Sequence, residues 1–112
     1  MGEISKLTTT GKSLYHGVTQ VGTTPIRLCP NLETHQGIVV RAPGQADVNA
    51  ADQPIGNTGL VYIGDHRVTA DHSNTGGFPL LPGMAIVIPV NDPSELYIVA
   101  TKPNQIVQWM GL

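Results

Sequence analysis

Charge is the scarcest feature of this sequence. Lys, Arg, Asp and Glu make up 12% of its 112 residues, against roughly a quarter in an average soluble domain. The six basic residues, Lys6, Lys12, Arg27, Arg41, Arg67 and Lys102, form no run. That spacing excludes the electrostatic stripe of a duplex binder and a polybasic membrane patch. One tryptophan, one phenylalanine and three tyrosines show no interleaving with basic groups, so a base-stacking platform is excluded too. Neither nucleic acid nor a membrane is therefore expected as a direct partner. The single cysteine, Cys29, cannot close an internal disulfide, and beside Ile26 and Leu28 it reads as a small buried hydrophobe. No apolar run approaches the roughly 18 residues of a spanning helix, and no signal-peptide core opens the chain; the expectation is synthesis in the cytosol without export. Helical periodicity is also missing throughout.

What remains is a strand pattern. Met84, Ile86, Ile88 and Val90 recur at the period of two, with Ala85, Val87 and Pro89 on the other face. Pro82-Gly83 before them suits the middle of a type II turn. Pro89 lacks an amide donor, which places it at a sheet edge or bulge. Further strands are predicted over 14–21, 26–29, 37–42, 60–64, 96–100 and 106–110. Ile38 and Val40 are expected to face inward and Arg41 outward, and the two apolar faces of Leu60-Val61-Tyr62-Ile63 suit a central strand or one against another subunit. Gly22 to Pro25 reads as the turn of a hairpin joining the first two of these strands.

This spacing of short strands and turns predicts an all-β fold, a compact antiparallel β-sandwich or jelly roll over residues 14–112, preceded by an N-terminal arm over residues 1–13. With so few charges, the surface must be covered by Thr, Asn, Gln, Gly and isolated apolar groups, which points to burial in an oligomer or larger assembly. The polar stretch from Gln45 to Gly56 is read as an extended surface loop, available for contact because the core does not need it.

Candidate reaction centres are few, and each has a plainer reading. His66 and His72, beside Asp65 and Asp71, offer nitrogen and oxygen metal ligands, but at no recognised zinc or facial-triad spacing. Asp47, Asn49 and Asp52 resemble calcium ligands without the closing Glu of an EF-hand. Asp65, Asp71, Asp92 and Glu95 supply carboxylates for glycoside hydrolysis, all of them in turns. Asp71, His72 and Ser73 have the residue types of a triad, but adjacent positions do not make its geometry. Gly56-Asn57-Thr58-Gly59 lacks the Lys of a phosphate loop. Tyr62, Tyr97 and Trp109 fit either core packing or a sugar-stacking face, and Tyr15 and His16 suit a contact between subunits. The reading is a chain that is not an enzyme and needs no cofactor or metal.

Several stretches in order carry a resemblance: Gly17-Val18-Thr19, Gly37-Ile38-Val39-Val40-Arg41-Ala42, Asn57-Thr58-Gly59-Leu60-Val61-Tyr62-Ile63-Gly64, Gly77-Phe78-Pro79-Leu80 with Pro82-Gly83, and Leu96-Tyr97-Ile98-Val99. Over Gly17 to Met110 the chain resembles a class of small all-β bacteriophage virion proteins. That resemblance implies a virion location after synthesis in the host cytoplasm, either decorating or cementing the capsid or belonging to tail or fibre assemblies, and it supplies no catalytic residues. The Gln45 to Gly56 segment is longer than the connector of that class. The expectation is a decoration protein on the outer capsid surface that binds the major capsid protein lattice as a homo-oligomer, a trimer by preference. The alternative is a tail or fibre component that recognises a host-surface glycan. The arm and the Gln45 to Gly56 loop are the segments expected to touch the lattice.

Overall fold

The computed structural model describes residues 3–9, 12–30, 34 and 36–112, with side chains from Tyr15 onward. Nine strands run in order: β1 (Glu3–Thr9), β2 (Lys12–Val21), β3 (Ile26–Arg27), β4 (Ile38–Arg41), β5 (Val61–Gly64), β6 (Phe78–Leu80), β7 (Ala85–Ile88), β8 (Tyr97–Ala100) and β9 (Gln105–Gly111). A single turn of 3-10 helix, Pro93–Glu95, precedes β8.

The strands form two antiparallel sheets that pack together, β1-β2-β9-β4-β7 and β3-β8-β5-β6. Four of the pairings are nested: β2 with β9, β3 with β8, β4 with β7, and β5 with β6. The chain therefore follows a long two-stranded ribbon closed at β5 and β6, whose successive segments alternate between the layers. Two further pairings, β4 with β9 and β5 with β8, stitch those segments side by side within each layer.

Alternation along the strands builds the core between the layers. Ile38 and Val40 are fully buried, and Arg41 beyond them is half-exposed, as the period of two requires. They pack with Val61, Leu80, Ile98, Val107 and Trp109. Burying each such side chain contributes about 1.5–3 kcal/mol. Met84, Ile86, Ile88 and Val90 close the core at the β7 side. The buried polar groups are paired: the Trp109 indole N–H donates to Thr19 Oγ1 at 3.0 Å, and Thr19 Oγ1 donates to the Leu28 carbonyl at 2.5 Å.

β5 is apolar on both faces for a reason internal to the chain. It lies between β8 and β6, and its outer residue Tyr62 packs with Val99 and with Val68 from the loop that follows β5. That loop covers the outer face of the four-stranded sheet with a second, smaller core. A neighbouring subunit is not needed to explain the pattern.

The hairpin expected between β2 and β3 is not formed. β2 pairs with β1 and β9, whereas β3 lies in the other layer against β8. Gly22 to Pro25 is a crossover between layers, held where Ala100 N donates to the Gly22 carbonyl at 2.8 Å. The apolar rows of β2 and β3 face one core from opposite sides, an alternation indistinguishable in sequence from a hairpin. Gly76 to Leu81, outside every predicted strand, contains β6; Pro79 is tolerated there because β6 is an edge strand that needs no outward donor. The strands over 84–90 and 96–100 exist as β7 and β8, in different layers. β7 is likewise an edge strand, and Pro89 directly follows it.

The stretch expected as an N-terminal arm holds β1, which pairs along β2 from Glu3 opposite Val18 to Thr9 opposite Lys12. β2 meets β9 only from His16 onward, so the far part of the β1–β2 hairpin is a two-stranded ribbon running past the sheet. Residues 1–2 and 10–11 lie outside the described residues. No helix among the described residues is long and apolar enough to cross a membrane.

Candidate functional site

The Gln45 to Gly56 loop is a built hairpin on a clamped base. Its root is fixed by Asp47, whose Oδ2 accepts from Gly44 N at 2.6 Å and Arg41 Nη2 at 2.8 Å. Arg41 also donates to Gln108 Oε1 at 2.9 Å, so one guanidinium joins the loop to β4 and β9. These contacts, Arg41 first and the Gly44 amide second, hold the Asp47 carboxyl below the usual range. At the tip, Asn49 Oδ1 accepts from Ala51 N at 2.9 Å and Gln53 N at 3.0 Å, a side chain standing in for backbone turn acceptors. Asp52 takes a φ of 59°, which Asp tolerates better than most residues, and Val48 bridges to Pro54 across the hairpin.

The loop's return is tied to β9. Asn57 Nδ2 donates to the Ile106 carbonyl and Asn57 Oδ1 accepts from Ile106 N, both at 2.8 Å. β4 reaches only to Gln108, so this side chain continues the ladder where the strand has ended. Gln105 Oε1 accepts from Thr58 N at 2.7 Å and Gly59 N at 2.9 Å. Gly56 passes so close to Gly44 that a Cβ would lie 2.2 Å from its carbonyl oxygen. The β4–β5 and β6–β7 loops also touch, Gly44 against Gly83, and Gly83 has the positive φ of 88° that the Pro82-Gly83 turn requires.

A rigid platform results at this end of the molecule. Its exposed apolar groups include Val48 and Leu81, about half exposed. Its charges are the Asp47–Arg41 pair, Asp52 and Lys102. Arg41, Asn57 and Gln105 are what sequence reading missed. Their partners lie up to 67 residues away, and no local pattern marks such a clamp.

The opposite end is polar. Arg27, Asp65, His66, Ser94, Glu95 and Tyr97 line a groove of about 250 Å³. Arg27 Nε donates to Tyr97 Oη at 3.2 Å, and its guanidinium carbon lies 5.8 Å from the Tyr97 ring centroid. His66 meets Tyr97 edge-on at 6.4 Å between ring centroids. Asp65 accepts from the Arg67 backbone N–H and guanidinium, which keep its carboxyl below the usual range. A general acid needs the opposite shift.

The other candidates are dispersed. His72 packs edge-on against Tyr62, while Asp71 accepts from the Ser73 hydroxyl at 2.6 Å, the Ser73 amide at 3.0 Å and Thr69 Oγ1 at 2.8 Å. Ser73 thus serves an Asp-centred turn, and those donors lower the Asp71 pKa. Asp92 caps the 3-10 turn through Ser94. Asp47, Asn49 and Asp52 each serve the loop and do not converge; among the described residues no three His, Cys, Asp or Glu gather as a metal site. Tyr62 and Trp109 are buried, which leaves Tyr97 alone of the three proposed for a sugar face. Cys29 is buried, and burial pushes its thiol up to about 11, away from nucleophilic reactivity. Comparison with known proteins adds no identity: no family model, curated protein or solved structure matches the chain.

Proposed function

We propose that the chain is a capsid decoration protein that binds the assembled head and stabilises it, its two layers forming a jelly-roll sandwich. The observation that carries this reading is the nested pairing of β2 with β9, β3 with β8, β4 with β7 and β5 with β6. Two Greek keys wrapped into eight strands have that order, and the architecture recurs in viral capsid and lectin domains. The sequence resemblance to phage virion proteins and the low charge point the same way.

The mechanism is mass action. A protein that binds the closed lattice better than dispersed subunits stabilises the closed form by its differential affinity. Several modest contacts made together raise effective concentration. The two segments expected at the lattice lie at opposite ends of the five-stranded sheet. The loop follows the Arg41 end of β4, level with the start of β9, while the β1–β2 ribbon runs beyond the end of β9. Standing with its strands normal to a flat lattice, the protein meets it with only one of them. The loop end is the better docking surface, because its backbone is already fixed by the Asp47, Asn57 and Gln105 contacts.

Co-sedimentation of the purified protein with assembled shells tests this. Replacing Val48 to Pro54 by a short Gly-Ser turn is expected to weaken shell binding at least tenfold with an unchanged β spectrum. Equal binding would overturn the loop as the docking element. Glycan recognition at a tail or fibre is the second reading, supported by the Arg27–Tyr97 groove; it predicts saturable cell-surface binding that Arg27→Ala abolishes.

A further inference from the structure

The five-stranded sheet has two free edges, β1 and β7, and they match. Its strands alternate in direction from β1 to β7, so the first and fifth run the same way. The registers can be followed residue by residue across the sheet. Ser5 lies opposite His16, His16 opposite Met110, Met110 opposite Val39, and Val39 opposite Val87. The same walk leads from Glu3 through Val18, Gln108 and Arg41 to Ala85. β1 and β7 therefore stand level as well as codirectional. Edges that match in direction and level let the same contact repeat from copy to copy, β1 of one beside β7 of the next. A head-to-tail contact with no rise closes into a ring; one with rise makes a filament.

β7 is also the edge left unprotected. Natural edges are blunted by proline, charge or shortness: in the other sheet β6 carries Pro79 and β3 has two residues. Ala85-Ile86-Val87-Ile88 carries neither charge nor proline, and Pro89 stands only past its end. Ala42 N donates to the Met84 carbonyl, and alternation of the antiparallel ladder then turns the N–H and C=O of Ala85 and Val87 away from β4, toward the open side. Val87 is 59% exposed, and an apolar groove of about 420 Å³ lined by Phe78, Ile86, Ile88, Pro89 and Leu96 runs beside it.

Surface area supports the same partner. A compact monomer of 11.9 kDa exposes about 6,000 Å². This chain exposes 6751 Å², an excess close to one partner's share of a standard interface, about 800 Å², at one of the two contacts each copy makes in a ring.

We infer that a second copy of this chain covers the β7 edge: β1 of one copy pairs in parallel with β7 of the next, and the repeated contact closes a ring. The inference rests on the proposed decoration reading and on the homo-oligomer, a trimer by preference, that the sequence resemblance implies, and it names the contact.

Cross-linking of cysteine variants of the full chain tests it, with the buried Cys29 silent. An equimolar mixture of Ser5→Cys and Val87→Cys is expected to give a covalent dimer under oxidation, because paired strands bring Cα atoms within disulfide reach. Neither variant alone should do so, and the double variant should ladder up to one ring size and stop. Val87→Lys, with a folded β spectrum, is expected to drop the light-scattering mass from ring to monomer. Dimer formation by Val87→Cys alone would overturn the inference in favour of a two-fold β7 contact, and a monomeric wild type would overturn it outright. Shell-bound protein that cross-links through Val87→Cys alone would refute the strand pairing and leave decoration standing. A β1–β7 ring found only free of particles would do the reverse.

Discussion

Thr19 shows how one polar atom organises both layers. It sits on β2 and receives the Trp109 indole N–H from β9 while donating to the Leu28 carbonyl beyond β3. Thr19→Val keeps the shape but strands a buried donor and a buried acceptor, a loss of about 1–3 kcal/mol for each unsatisfied group. Urea denaturation should show the unfolding free energy fall by that amount, as a lower midpoint with an unchanged slope. Asp47 gives a pH signature. Its folded pKa is lowered by Arg41 and the Gly44 amide, so its contribution is fully present above the unfolded value of about 3.9 and fades as pH falls through the folded value. Thermal melts between pH 6 and pH 2, values chosen to span about two units either side of that point, should show a shallower acid loss for Asp47→Asn than for wild type. Identical acid profiles would show that the loop root does not depend on the ionised carboxylate. None of this pairing could be read in advance, because each partner is set by tertiary register and not by local sequence.

At the scale of elements, alternation was informative about faces and silent about layers. Ile38, Val40 and the Met84-to-Val90 row were legible as core-facing, and Pro82-Gly83 as a turn, because each depends on residues within a few positions. The β2–β3 crossover was not legible: two strands facing one core from opposite sides carry the same pattern as a hairpin. β6 was hidden by Pro79, which marks an edge strand as readily as a turn. In the loop after β5, Asp65, His66, Asp71 and His72 drew attention as possible ligands, yet it is Val68 between them that seals Tyr62 and Val99. The clamp on the Gln45 to Gly56 loop has a sharp test in Gly56. A Cβ there would meet the Gly44 carbonyl at 2.2 Å, backbone against backbone, so Gly56→Ala must shift the loop root. The expected result is a stability loss above about 1 kcal/mol, in the range of backbone-strain mutations, together with faster amide exchange over residues 44–57. A neutral substitution would mean that the platform is softer than its hydrogen bonds indicate.

For the whole molecule, the two ends differ in kind. One is a fixed platform of turns whose charges, Arg41 with Asp47 and Asp52 with Lys102, sum to zero; the other gathers Arg27, Asp65, His66 and Glu95 around Tyr97. The sheet between them ends in two strands that match in direction and level. A decoration protein that stands with its strands roughly normal to the shell uses all three features: the platform downward, the polar groove outward and the sheet edges sideways to its neighbours. Imaging of particles purified from a lysate in which the chain is labelled tests this arrangement most directly. The account predicts label spread over the shell, at junctions between capsid subunits, with the Gln45 to Gly56 loop facing the lattice. Label confined to the tail tip, or particles that contain none of the chain, would contradict it.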